Sequence, residues 1–213
     1  MMNITPTVKQ LLIINILMFV GTIFVPQAKN ILALFYFENP MFKFWQPITH
    51  MFLHHGFMHL FFNMFALYSF GSTLEHFWGG KKFLYFYIAC GLGAAFLYTA
   101  VNYYDFNFVG NSQVFSSVAV GASGAVYGLL VAFAFMFPNA ELALMFIPVP
   151  IKAKYFVPGI VALDLFLGFK GDSIFGSGGT GIAHFAHVGG AAVGYLLMKS
   201  WKDNQFNKNR WDT

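Results

Sequence analysis

Four polar residues in this otherwise apolar chain are of types that do chemistry together: Ser123, His187, His59 and Asn63. A serine hydroxyl is a weak nucleophile at neutral pH unless a base removes its proton, and histidine has a pKa suited to that task. His59 and Asn63 are four residues apart, so on a helix their side chains share one face and can aim two donors at one point. The set indicates acyl transfer by a serine, with donors that stabilise an oxyanion.

Ser123, His59 and Asn63 each also have a simpler, structural interpretation, whereas His187 does not. A serine beside glycines in an apolar helix is commonly a packing residue. His59 could be an interfacial histidine and Asn63 a hydrogen-bonding residue between helices. An ionisable residue inside an apolar segment, such as His187, is costly and indicates function by default.

Glycines recur at helical spacing beside the serine and the histidine. They are Gly121, Gly124 and Gly128 around Ser123, and Gly190 and Gly194 after His187. Small residues one turn apart let two helix backbones approach closely. We therefore expect these two helices to pack together and to bring the histidine to the serine.

No acidic residue is obviously placed to orient His187. Asp164 lies in the middle of an apolar segment and Asp172 in a glycine-rich stretch. The sequence therefore predicts a Ser-His dyad, with the imidazole held by packing on Tyr127. For Asp164 we expect a protonated side chain that is hydrogen-bonded to a neighbouring helix; the alternative is a place in a proton path.

The composition indicates a membrane protein, because 58% of the 213 residues are hydrophobic and 9% are charged. Soluble domains have about 45–50% and about 25%. We predict an all-α, polytopic membrane protein with a single domain over residues 1–213, built as a six-transmembrane-helix bundle. The predicted spans cover about 8–25, 57–78, 82–103, 121–137, 154–170 and 184–201.

Three further segments lie outside the predicted spans and differ from them in composition. Residues 26–56 are rich in aromatic residues and interrupted by prolines, which predicts a loop lying in the membrane interface. Residues 171–183 are rich in glycine and are expected to be mobile. Residues 202–213 are predicted to form a short cytoplasmic tail.

Basic residues predict the orientation of the spans. An N-terminus on the cytoplasmic side leaves nine basic residues inside and three, Lys29, Lys43 and Lys170, outside. Both termini are then cytoplasmic, and His59, Asn63, Ser123 and His187 fall at similar depth in the outer leaflet. The formal charge of +4 is explained by basic residues that face anionic membrane lipids, so it does not indicate nucleic-acid binding.

Three ordered motifs resemble those of the rhomboid intramembrane serine proteases in their bacterial six-span form. They are His59-Leu-Phe-Phe-Asn63, Gly121-Ala-Ser-Gly124 and Ala186-His187-Val-Gly-Gly190-Ala-Ala-Val-Gly194. The resemblance runs from His50 to Leu197. Bacterial members often carry Trp-Arg in the interfacial loop, whereas here Gln46 follows Trp45.

The resemblance implies that Ser123 is the nucleophile and His187 the general base. It also implies an oxyanion hole formed by His59, Asn63 and the Ser123 backbone N–H, with Tyr127 packed on the His187 ring. Substrates would be single-span transmembrane proteins, cut in or near the outer leaflet after a small residue. The fifth span and residues 171–183 would form a lateral gate and a cap. The location would be the bacterial inner (plasma) membrane.

Two other functions are considered. Six of the seven histidines lie toward the outer side, which would suit a metal transporter or channel, although Asp164 alone supplies a polar group along the inner half. A catalytically inactive relative that only binds membrane proteins is disfavoured by the presence of both Ser123 and His187. No cofactor or metal is expected, and no oligomeric state is indicated.

Overall fold

A computed structural model describes residues 4–144, 147–170 and 182–202, and over these residues the fold is mostly helical. The helices are α1 (Pro6–Phe24), α2 (Ala28–Leu32), α3 (Gln46–Thr49), α4 (Phe57–Ala66), α5 (Ser72–Trp78), α6 (Gly80–Tyr104), α7 (Ser123–Met136), α8 (Ala153–Lys170) and α9 (Ile182–Trp201). A π-helical segment, Leu67–Gly71, joins α4 to α5, and another, Asp105–Val109, extends α6. The helices predicted as spans lie within a few residues of these bounds.

Two small antiparallel sheets connect the helices. Strand β1 (Leu34–Phe35) pairs with β2 (Val118–Ala119), which lies just before α7. Strands β3 (Glu141–Leu144) and β4 (Ile147–Lys152) form a hairpin between α7 and α8. The segment 26–56 was predicted as a loop, and it contains α2, β1, α3 and a 3₁₀ turn, so it is partly ordered by its own hydrogen bonds.

Helix α6 lies at the centre of the fold. Its side chains Phe83, Phe86, Tyr87 and Cys90 are inaccessible to solvent, and α7 and α9 both pack against this helix. Cys90 lies against Gly128 of α7, as expected of a small residue at a helix contact. The core therefore holds α7 and α9, which carry the serine and the histidine, side by side.

The start of α1 is fixed by Glu75 of α5. Its carboxylate accepts hydrogen bonds from the Thr5 hydroxyl (2.5 Å) and from the backbone N–H groups of Thr7 (2.9 Å) and Val8 (2.8 Å). The first N–H groups of a helix have no partner within the helix, and a carboxylate both satisfies them and complements the helix dipole. Glu75 thus has a structural role.

Among the described residues, two helical segments are long and apolar enough to cross a membrane by length and composition, Pro6–Phe24 and Gly80–Val109. Ser123–Met136 is a shorter apolar helix. Large apolar side chains lie on the outside of the fold; Phe24 and Phe169, for example, are 80% and 78% exposed. The six-span bundle itself stays a prediction. The predicted mobile residues 171–181 and the tail beyond Lys202 lie outside the described residues.

Candidate active site

Ser123 is the first residue of α7, which places its backbone N–H among the unpaired donors at a helix N-terminus. Gly121, two residues before Ser123, has φ of +128°, a backbone conformation that residues with side chains rarely adopt. A Cβ at this position would also lie 2.8 Å from the His59 ring. Glycine is therefore required at 121 for the turn that presents Ser123.

His187 of α9 lies beside the serine. Its Nε2 is 2.8 Å from Ser123 Oγ, a normal hydrogen-bond length, and the hydroxyl donates when Nε2 is unprotonated. Tyr127, one turn after Ser123, stacks on the imidazole with ring centroids 4.5 Å apart and planes 10° apart. The stack fixes the plane of the His187 ring, so Nε2 stays directed at the hydroxyl.

Glycines make this approach of α7 and α9 possible. A Cβ on Gly190 would collide with the carbonyl oxygen of Gly124, and one on Gly194 would lie 2.8 Å from the Cα of Gly128. Gly189 makes a similar backbone contact, with a Cβ there lying 2.5 Å from the Gly93 carbonyl oxygen of α6. Helix α9 thus contacts the backbones of both α7 and α6 at its glycines.

His59 of α4 approaches the same place. Its ring lies against Gly121, and its Nδ1 accepts a long hydrogen bond of 3.5 Å from the backbone N–H of His55. In a neutral imidazole this leaves the proton on Nε2, which makes Nε2 a donor. His59 thus has a donor beside the turn that carries Ser123.

Asn63 is buried, and its Nδ2 donates to the His59 carbonyl oxygen at 2.8 Å. One of its two N–H groups is therefore engaged with its own helix, and the second is the one available for an oxyanion. The structure thus places Asn63 one turn from His59 on α4 with part of its donor capacity already used.

The sequence did not indicate which residues lie around His187 on the side away from Ser123. Asp164 of α8 is 5% exposed, its Oδ1 contacts His184 Nδ1, and its Oδ2 lies 3.4 Å from His187 Nδ1. Asp164 is six residues from the end of α8, and His187 is five residues from the start of α9. At about 1.5 Å per residue the two lie at nearly the same depth, which helix bounds could have revealed.

Gln46 anchors the segment 26–56 through its side-chain hydrogen bonds. Its side chain is fully buried; Nε2 donates to the carbonyl oxygens of Ile31 (3.2 Å) and Met41 (2.9 Å), and Oε1 accepts from the Phe35 N–H (3.3 Å). Trp45 Nε1 also donates to the Ile31 carbonyl oxygen, at 3.0 Å. Gln46 therefore accounts for loop anchoring without the arginine that often follows this tryptophan.

The anchored segment is connected to the serine through His50. The Nδ1–H of His50 donates to the Gln46 carbonyl oxygen at 2.9 Å, and the His50 carbonyl oxygen accepts from the Gly121 N–H at 2.9 Å. Burial lowers the pKa of His50 to about 4 and, together with the neighbouring His59 and His55, lowers that of His54 to about 3. Both imidazoles are neutral near pH 7.

A serine hydroxyl within hydrogen-bond distance of a histidine is the arrangement that serine hydrolases use, and here closely packed apolar helices carry it. The rhomboid domain matches residues 41–201 of this chain. The chain is 30% identical over 169 residues to Rhomboid protease AarA of Providencia stuartii, covering 72% of this chain and 54% of that protein. It is also 30% identical over 156 residues to Rhomboid protease GluP of Bacillus subtilis (strain 168), covering 72% and 25%.

A mitochondrial relative is similar as well. The human mitochondrial presenilin-associated rhomboid-like protein is 28% identical over 177 residues, which cover 80% of this chain and 42% of that protein. The chain thus spans about half of these relatives' length or less. It belongs to the rhomboid family, whose members are integral membrane proteins and include serine proteases.

Proposed function

We propose that this protein is an intramembrane serine protease that cleaves the transmembrane segments of single-span membrane proteins. The observation that carries the proposal is the distance of 2.8 Å between His187 Nε2 and Ser123 Oγ, with the imidazole stacked on Tyr127. A nucleophile and a base in hydrogen-bond contact are what acyl transfer by serine requires.

In the first step His187 Nε2 takes the proton from Ser123 Oγ while the oxygen attacks the carbonyl carbon of the scissile peptide bond. The tetrahedral intermediate collapses when His187 returns that proton to the leaving nitrogen. Water, deprotonated by the same Nε2, then hydrolyses the acyl-enzyme.

The oxyanion of each tetrahedral intermediate would be stabilised by three donors: the Ser123 backbone N–H, His59 Nε2–H and the second N–H of Asn63. The position of Ser123 at the start of α7 supports this role, because the N-terminus of a helix presents unpaired N–H groups and favours negative charge. The closeness of His59 to Gly121 supports it too.

The protein would be a single rhomboid domain with six spans, both termini in the cytoplasm and the site toward the outer leaflet of the bacterial inner membrane. Support comes from the family and from the distribution of basic residues. Peptide hydrolysis needs water, and Ser123 and His187 are both partly accessible rather than sealed in the core. Substrates would enter from the lipid beside α8.

A metal transporter or channel is the second candidate, and one observation favours it. Within the described part of the chain Asp164, His184 and His187 each offer a ligand atom, and these atoms lie within 4.8 Å of one another. Two imidazoles and a carboxylate suit zinc. The dyad is preferred because His187 directs its other nitrogen at Ser123.

The test is cleavage of a single-span model substrate with the purified protein in liposomes. The proposal predicts a cleaved product with wild type, none with Ser123→Ala, and the same rate with or without a chelator. Ser117→Ala, six residues earlier and outside the site, is the matched control and should cleave normally. Cleavage by Ser123→Ala would overturn the proposal, and zinc uptake into the liposomes without cleavage would favour the second candidate.

A further inference from the structure

Two buried polar atoms face each other on the far side of His187. Asp164 Oδ2 and His187 Nδ1 are both inaccessible, and neither has a hydrogen-bond partner at ordinary distance among the described residues. They are 3.4 Å apart. Buried polar groups without partners are costly, so two of them placed opposite one another require an explanation.

We propose that Asp164 is a positioning residue for His187, which makes the site a Ser-His-Asp arrangement instead of the dyad predicted from the sequence. The inference rests on the proposed function, because it concerns the state of the histidine that would act as the base. Asp164 does not touch the reacting atoms; it acts through the imidazole.

The required tautomer of His187 gives the physical reason. To accept the serine proton, Nε2 must be unprotonated, and a neutral imidazole then carries its proton on Nδ1. That Nδ1–H needs an acceptor, and Asp164 Oδ2 is the oxygen in front of it. When Nε2 takes up the serine proton, the carboxylate also stabilises the imidazolium.

The distance of 3.4 Å exceeds an ordinary N–H···O bond of about 2.7–3.2 Å. Hydrogen bonds of catalytic groups are often long in the free enzyme and tighten when substrate or charge is present. A movement of a few tenths of an ångström between α8 and α9 would bring the pair to hydrogen-bond distance. A substrate segment that enters beside α8 is able to shift α8 relative to α9 by this amount.

The other oxygen of Asp164 is held in place independently. His184, one turn before His187 on α9, directs Nδ1 at Oδ1, and the Tyr127 hydroxyl also interacts with the carboxylate. With His184 on one oxygen and His187 opposite the other, a carboxylate at Asp164 is able to accept a hydrogen bond from each imidazole. The proposal therefore takes Asp164 as a carboxylate, in place of the protonated side chain expected from the sequence.

The test compares two variants that separate these two contacts. Asp164→Asn keeps the size of the side chain and removes the charge that faces His187. His184→Gln changes the contact on Oδ1 and the edge-to-face contact of the His184 ring with the His187 ring, and it leaves the Asp164 carboxylate facing His187. We expect Asp164→Asn to lower kcat about 100-fold or more with KM nearly unchanged, and His184→Gln to lower kcat less than tenfold. Asp164→Glu, which restores a carboxylate, should recover part of the lost kcat.

A second measurement reads the tautomer directly. In wild type labelled with ¹⁵N-histidine, the neutral His187 should carry its proton on Nδ1, and in Asp164→Asn part of the population should carry it on Nε2. A purely structural role would instead lower the thermal midpoint of Asp164→Asn and His184→Gln together, with proportional loss of activity and no change of tautomer. That result, or wild-type kcat in a folded Asp164→Asn protein, would overturn the inference.

The inference and the proposed function fail in different ways. If Ser123→Ala still cleaves substrate, the proposed function is wrong whatever Asp164 does. If Ser123→Ala and His187→Ala are inactive while Asp164→Asn matches wild type, the protease stands as a dyad and only the role of Asp164 is rejected.

Discussion

Gly190 of α9 packs against the carbonyl oxygen of Gly124 in α7, with no room between them for a Cβ. Gly124 directly follows Ser123, and His187 precedes Gly190 by one turn. The contact of the two backbones therefore fixes the separation between the histidine and the serine.

Gly190→Ala should impair cleavage without altering any polar group. The added methyl group meets backbone, which cannot rotate away, so α9 must move from α7 and His187 Nε2 from Ser123 Oγ. Overpacking of this kind costs about 1–3 kcal/mol, and we expect at least a tenfold lower kcat with a lower thermal midpoint. Gly21→Ala, whose Cβ meets no atom within 4 Å, is the control. Equal activity of the two variants would contradict this role of the contact.

Asn63→Ala should lower kcat about 10²–10³-fold with little change in KM, the usual effect of removing one oxyanion donor. Steady-state cleavage kinetics provide the measurement. Asn102→Ala is a matched control, because Asn102 is also buried and also donates to the carbonyl oxygen four residues earlier, that of Tyr98. If both variants lose stability alike and Asn63→Ala keeps its kcat, Asn63 is a packing residue.

Gln46→Leu should destabilise the segment 26–56. The substitution removes three hydrogen bonds of a fully buried side chain, and each such hydrogen bond contributes about 0.5–1.5 kcal/mol to stability. We expect a clearly lower thermal midpoint and faster proteolysis between residues 26 and 56. Gln27→Leu, at an exposed position, should behave like wild type. A wild-type midpoint for Gln46→Leu would show that other contacts hold the segment.

His50 should make stability depend on pH. Its pKa is about 4 in the folded protein and about 6.5 when unfolded, so above pH 6.5 the histidine is neutral in both states and contributes no pH dependence. As the pH falls from about 6.5 to about 4, only the unfolded state takes up the proton, and stability is lost. His54, with a pKa of about 3, acts in the same direction.

The measurement is the thermal midpoint between pH 7 and pH 4.5. His50→Asn keeps a donor for the Gln46 carbonyl oxygen and removes the titrating group, so its midpoint should fall less steeply than that of wild type. His76→Asn, at an exposed position, is the matched control. Identical slopes for wild type and His50→Asn would contradict the assignment.

The sequence was sufficient to predict the helices and the meeting of α7 and α9. Apolar runs indicate the helices, and glycines spaced one turn apart on two of them indicate a close contact. The contacts of Gln46 could not be predicted, because its three hydrogen bonds depend on the folded path of residues 31–46, which no local pattern encodes.

Asp164 shows a second limit. The prediction of a dyad followed from assigning Asp164 to the middle of its span, whereas α8 and α9 place it level with His187. The predicted bounds of these two spans, 154–170 and 184–201, lie within two residues of α8 and α9, so the bounds did not cause the error. Helix bounds give the depth of a residue but not the rotation of the helix about its axis, and that rotation decides whether two ionisable residues at the same depth face each other.

The most direct test of the central claim is labelling of the purified protein with a fluorophosphonate probe, which reacts with a serine that an adjacent base has activated. We expect the probe to label wild type and to label neither Ser123→Ala nor His187→Ala. All three proteins should show the same thermal midpoint within a few degrees. Undiminished labelling of either variant would contradict the pairing of Ser123 with His187.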